Sequence, residues 1–186
     1  MSDVYVGLVH HPVLNKFMET VTASITNLDI HDIARSCATF GVKNFFIINR
    51  LQSQKDLFQK VYDFWNTDLA SGYNPDRAEA FKTLRYAFTV DDALNRIKNE
   101  DKTSPVVVAT TAAERNDQVD ELEIKKIIKE SDNPVFLLFG TGNGLTQEIL
   151  DNSDFNLKPI KSSTSYNHLS VRSAVAIYLD RLLSVK

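Results

Sequence analysis

Pro134 to Leu145, PVFLLFGTGNGL, is the stretch that most limits how this chain folds. An apolar run halts there against three glycines in five residues, in a chain with only six glycines. Val135, Phe136, Leu137, Leu138 and Phe139 have the length and content of a fully buried strand. Gly140, Gly142 and Gly144 mark where the backbone takes positive φ or approaches a ligand closely. Leu145 to Leu150 reads as a short helix. Strand, glycine loop and helix, in that order, present backbone amides to a polar small molecule at the carboxyl end of a sheet. A tight strand-to-helix turn with no ligand fits the same residues.

The rest of the chain supplies a sheet for that strand to join. Apolar runs at Val4–Val9, Asn44–Ile48, Tyr86–Val90, Pro105–Ala109 and Leu157–Ile160 read as further strands. Helical patterns separate them: Leu14 to Ile25, Ser53 to Trp65 with Leu57, Val61, Phe64 and Trp65 inward, Asp91 to about Asn99, and Glu121 to Glu130. Between the first two of these, Ile30, Ile33, Ala34, Cys37 and Ala38 recur at helical spacing, with Asp29 as the expected N-cap and Gly41 as the C-terminal cap. The opposite face of that helix carries His31, Arg35 and Thr39. Strands alternating with helices predict an α/β fold, with a mostly parallel sheet flanked by helices.

At 186 residues and 21.0 kDa the expectation is a single domain over residues 1–186. No run approaches the roughly 20 apolar residues that span a bilayer, and Met1-Ser2-Asp3 lacks the pattern of an export signal. A cytoplasmic protein with no membrane partner is therefore expected. Cys37, the one cysteine, reads as a buried core thiol, and His10, His11, His31 and His168 are too dispersed to form a metal-ligand set. No metal is expected. A net charge of -3 argues against a generic nucleic-acid coat without excluding a local basic face. From Asn66 to Arg85 the residues Tyr73, Arg77, Phe81, Lys82 and Arg85 interleave types that stack on bases and neutralise phosphates, or else form a surface excursion with a short helix.

Towards the C-terminus, Lys161 to His168 is a loop rich in hydroxyls, and Leu169 to Val185 a helix apolar nearly all round. So wide an apolar surface needs two things to pack against, and a second copy of the chain is the simplest candidate for one of them.

LFGTGNGL at Leu138 to Leu145, together with YNHLSVRSAVAIYLDRL at Tyr166 to Leu182, resembles the SPOUT class of RNA methyltransferases, the α/β-knot proteins. Within that class it is similar to a small bacterial group of S-adenosylmethionine-dependent enzymes. NLDIHDIARSCATFG at Asn27 to Gly41 is similar to the class's first motif, an asparagine preceding a helix that bears an arginine. The resemblance implies a C-terminal deep trefoil knot, S-adenosylmethionine as methyl donor, tRNA or rRNA as acceptor, and a homodimer through the C-terminal helix.

Carried over by position, the resemblance implies a donor pocket built from Thr110, Thr111, Leu138, Gly140, Thr141, Gly142, Gly144, Ile160, Asn167, His168, Leu169 and Ser170. Leu138, Ile160 and Leu169 would enclose the adenine. Asn27 and Arg35 match the first-motif positions and are expected at the RNA substrate, Arg35 also at the reaction centre. His168 is the candidate for taking a proton, since a guanidinium is a poor base at pH 7. Thr141 and Gly142 stand where many relatives have an asparagine-glutamate pair, so no catalytic carboxylate carries over there. That departure keeps a non-catalytic protein binding S-adenosylmethionine or RNA as the alternative. A nucleotide enzyme using NAD is disfavoured, because the glycine loop lies late in the chain and no acidic residue ends a following strand.

Overall fold

The computed structural model of the chain describes residues 2–185. Its strands are β1 (Val4–Val9), β2 (Val13–Leu14), β3 (Thr20–Val21), β4 (Asn44–Ile48), β5 (Leu84–Ala87), β6 (Val106–Thr110), β7 (Gln118–Val119), β8 (Val135–Gly140) and β9 (Phe155–Leu157). Its helices are α1 (Asn27–Thr39), α2 (Gln52–Trp65), α3 (Asp68–Tyr73), α4 (Pro75–Phe81), α5 (Val90–Asp101), α6 (Glu121–Glu130), α7 (Gln147–Asp151) and α8 (Val171–Leu183). Seven strands form one sheet in the order β5-β4-β1-β8-β6-β9-β7, and every neighbouring pair is parallel. The expected α/β fold with a mostly parallel sheet is therefore the observed one.

Apolar side chains cover both faces of the sheet, as a parallel sheet requires. Val4, Val6, Leu8, Leu137 and Phe139 face a core closed by α1, α6 and α8, with α2 and α4 beyond it. Tyr5, Val9, Phe136 and Leu138 face a smaller core closed by α5 and α7. Gly7 lies in β1 at the centre of the sheet. A Cβ there would meet the ring tip of Phe136 at 2.7 Å, so the glycine makes room for an aromatic ring from the neighbouring strand.

Several elements differ from the sequence expectation. Residues 14–25 form no helix: β2 and β3 pair as an antiparallel hairpin. Asn15 Oδ1 accepts from the amides of Phe17 and Glu19, which closes a turn, and the β-branched run Thr20-Val21-Thr22 favours an extended return strand. The N-cap of α1 is Thr26, whose hydroxyl oxygen accepts from the Asp29 amide at 3.1 Å while its O–H donates to Asp29 Oδ2 at 2.6 Å. Asp29 is thus inside the first turn rather than before it. Gly41, at φ +70, ends the helix as expected.

α2 turns Trp65 and Val61 to the core as expected, but it buries Phe58 and leaves Leu57 and Phe64 42% and 48% exposed. The interleaved segment 66–85 forms α3 and α4, and part of it is core. Phe81 is fully buried, the His31 ring packs 4.8 Å from it, and the Arg77 guanidinium lies 5.2 Å from the Trp65 ring. Tyr73, Lys82 and Arg85 remain exposed. The broad apolar surface of α8 is largely used within the chain: Val175, Tyr178, Leu179 and Leu182 are buried, and α1 and α6 both pack against the helix. Most of its apolar width is therefore accounted for within the chain, with Ala176, Ile177 and Leu183 left half-buried.

Gly7→Ala should lower stability by about 1–3 kcal/mol through overpacking against Phe136. Urea denaturation would read this as an earlier midpoint at an unchanged slope.

Candidate functional site

The carboxyl ends of β1, β8 and β6 deliver three loops to one edge of the sheet, and hydrogen bonds fix how they meet. Thr141 closes the glycine loop against β1, its amide and hydroxyl both donating to the Val9 carbonyl at 3.1 and 3.0 Å. The Asn143 amide donates to the Leu14 carbonyl, and the Leu14 amide to the Gly144 carbonyl, so the β2–β3 hairpin is bonded along the loop. Gly142, at φ +60, passes so close that a Cβ would lie 2.8 Å from the Leu14 oxygen. At Gly140 a Cβ would lie 2.6 Å from the Leu145 nitrogen. Neither position has space for a larger residue.

The loop after β6 is held from beneath and from above. Thr110, buried, donates its hydroxyl to the Leu138 carbonyl at 2.9 Å. Asn167 Nδ2 donates to the Ala112 carbonyl at 2.8 Å, which brings the final loop over the first. Lys161 pairs with Glu114 across the same gap. The Tyr178 hydroxyl donates to the Lys158 carbonyl at 2.7 Å and fixes the approach to Ile160. Ser170 caps α8 by accepting from the Ser173 amide.

These loops enclose a cavity of about 930 Å³. Of the expected donor-site residues, Thr110, Thr111, Gly140, Thr141, Gly142, Gly144, Ile160, Asn167, His168, Leu169 and Ser170 all line it. Leu138 does not. It lies on the opposite face of β8, in the core under α5 and α7, and its neighbour Phe139 takes the place on the wall. Asn27 and Arg35 are not lining residues either: both are exposed on other sides of α1. Sequence reasoning missed the other half of the wall, which includes Met18, Ser24, Thr26, Asp29 and Arg172. The threonine and aspartate three apart in Thr26–Asp29 carried the signature of a helix start, and would have brought that end of α1 to the sheet edge.

His10 and His11 follow β1 directly. His11 Nδ1 shares a hydrogen bond with the Thr22 hydroxyl at 2.9 Å, inside the hairpin. His10 is fully buried with neither ring nitrogen partnered, and burial pushes its pKa down to about 4. Neither residue lines the cavity. Among the described residues no three His, Cys, Asp or Glu side chains gather as a metal-binding group. No helix among them is long and apolar enough to cross a membrane.

Comparison with known proteins adds four findings. A family model described as SAM-dependent RNA methyltransferase matches residues 3–184. A protein of Oleidesulfovibrio alaskensis named tRNA (guanine-N(1)-)-methyltransferase is 40% identical over 97% of this chain, which spans only 42% of that relative's length. A protein of Aquifex aeolicus, named only as uncharacterized, is 32% identical over 98% of this chain and 89% of its own. Among solved structures, the A. aeolicus TrmH/SpoU tRNA modifying enzyme superposes with a TM-score of 0.59 at 16% identity, over 97% of this chain and 73% of that one. The two share the SPOUT fold.

The buried imidazole sets a pH dependence. The folded-state pKa of His10 lies below its ordinary 6.5, so the unfolded chain takes up this proton first as pH falls. Stability should be complete above about pH 6.5 and fall by about 3 kcal/mol as pH drops to about 4. His10→Gln should flatten the profile of unfolding free energy against pH over that window, relative to the unaltered chain.

Proposed function

The chain belongs to the family of SAM-dependent RNA methyltransferases, and on that footing we propose that the loop-lined cavity is its methyl-donor site, with a base of tRNA or rRNA as methyl acceptor. The observation that carries this reading is the convergence of the β6 loop, the glycine loop and the final loop on one cavity. The size suits the task. About 930 Å³ is near the upper end for small-molecule sites and leaves room for a nucleobase beside the donor. The name borne by the O. alaskensis relative favours tRNA guanine, methylated at N1, as the acceptor.

When bound, the donor supplies a methyl group on a sulfonium that departs as a neutral thioether. The protein's tasks are therefore alignment and, for a ring N–H acceptor, proton removal. Phe139, Ile160 and Leu169 enclose the adenine, and the backbone of Gly140, Thr141, Gly142 and Gly144 holds polar groups of the donor. Thr110, Thr111, Asn167 and Ser170 complete the wall. His168, exposed at the mouth, takes the acceptor's proton on an imidazole nitrogen. Arg35 and Asn27, exposed on α1, meet RNA phosphate outside the cavity rather than the reacting atoms.

Four further elements belong to the same proposal. The C-terminal segment is threaded as a trefoil knot. The chain works in the cytoplasm as a single domain. It pairs with a second copy through α8, whose half-buried Ala176, Ile177 and Leu183 leave some apolar surface uncovered. A sedimentation mass of one chain at micromolar concentration would remove the pairing.

S-adenosylmethionine at a hundred times its Kd should add about 2.7 kcal/mol of stability, read as a raised Tm that ATP and NAD do not produce. With methyl-labelled donor, total tRNA should become labelled in preference to rRNA. His168→Ala should lower kcat by about 10²–10⁴-fold while leaving the donor-induced rise in Tm intact. Full activity in that variant would remove the imidazole from proton transfer, and donor binding without any labelled RNA would make the chain a binding protein.

A further inference from the structure

Among the described residues that line the cavity, Asp29 carries the one carboxylate and Arg172 the one guanidinium, and they are paired with each other. Asp29 Oδ1 accepts from Arg172 Nη1 at 3.0 Å, and Oδ2 accepts from the Thr26 hydroxyl at 2.6 Å. Arg172 Nε lies 3.3 Å from Asp32 Oδ2. Of the five N–H groups of the guanidinium, two face these aspartates and three are left over. The arginine side chain is 32% exposed, so the spare donors are within reach of a ligand. Apart from the His168 imidazole, the rest of the wall is glycine, hydroxyl, amide and apolar groups.

What kind of ligand uses such a corner follows from its charge. Asp29 and Asp32 with Arg172 sum to minus one. A phosphate brought to Arg172 would also meet two carboxylates, and bare adenosine has no charged group to offer. An α-amino acid suits both partners, its carboxylate facing the free N–H groups of Arg172 and its ammonium facing Asp29. S-adenosylmethionine ends in such a group and, with its sulfonium, carries a net charge of plus one. Its demethylated product is neutral overall.

Resting on the reading of the cavity as a donor site, we propose that Asp29, Asp32 and Arg172 form its amino-acid subsite. Arg172 binds the α-carboxylate and Asp29 the α-ammonium, and the net negative charge favours the cationic donor over the neutral product. The corner thereby helps to empty the site after each transfer.

Calorimetric titration with S-adenosylmethionine, S-adenosylhomocysteine and 5′-methylthioadenosine, which lacks the amino-acid end, tests this without any turnover. The unaltered chain should bind the first two more tightly than the third. Arg172→Ala should weaken both by tenfold or more and 5′-methylthioadenosine by no more than about twofold, with Arg172→Lys recovering part of the loss. Asp32→Asn, at an exposed position that leaves the Asp29–Arg172 pair in place, should lower the donor-to-product affinity ratio severalfold. Thermal melts of the unliganded variants show whether each is folded, and Asp32→Asn carries the test should Arg172→Ala fail to fold.

Equal weakening of all three ligands in folded Arg172→Ala would overturn the subsite and leave the pair a structural brace. Weakened tRNA binding at unchanged donor affinity would overturn it in favour of phosphate. Equal affinity of the unaltered chain for all three would also overturn the subsite while keeping the donor site. Binding of none would overturn the donor site and the subsite together.

Discussion

Val9 ends β1 with a carbonyl that takes two hydrogen bonds from Thr141, and the geometry of the site depends on that junction. β1 lies between β4 and β8, so its position is set from both sides by parallel ladders. By closing the glycine loop against β1 rather than leaving it to solvent, Thr141 turns a mobile type of sequence into a fixed wall. The hairpin then bonds along that wall through Leu14, and α1 starts from the hairpin's far end with Thr26 and Asp29 already facing the cavity. Order passes from the middle of the sheet outwards to the charged corner.

The glycines follow from the same junction. Gly140 stands where the loop's own backbone returns at Leu145, and Gly142 where the hairpin passes at Leu14, each within 3 Å of where a Cβ would be, so the loop is narrow from within and from one side. Where the wall is glycine-loop backbone, little conformational entropy is lost when the cavity is filled. The charged pair on the far wall is likewise held in advance, by the Thr26 hydroxyl on Asp29.

What was legible in the sequence was whatever depended on local pattern. α6 and β8 have strong periodicity or a continuous apolar run with polar or glycine ends, and they lie where that pattern places them. Residues 14–25 misled because their apolar spacing suits a helix, whereas the turn chemistry of Asn15 and the β-branched return strand decided the outcome. The face of α2 was set by aromatic neighbours far along the chain, Trp65 against Phe81 and Phe58 against Tyr86, which no window around α2 contains. At the site, a motif read along the chain found the loops that are contiguous in it. It selected Leu138 where the pleat presents Phe139, and it did not find the pairing of Asp29 with Arg172, which lie 143 residues apart in the chain.

That last separation bears on how the protein is made. Asp29 and Arg172 are 143 residues apart, and Thr141 is 132 from Val9. Contacts of such long range in a parallel topology form late and slowly, because the intervening chain must be ordered before they gain anything. During synthesis the N-terminal part of the cavity wall, Met18 to Asp29, emerges long before the loops after β6 and β8 and the Arg172 of α8 that complete it. A ligand seated between Asp29 and Arg172 would bridge these distant parts of the chain, and by mass action would favour the arrangement that joins them.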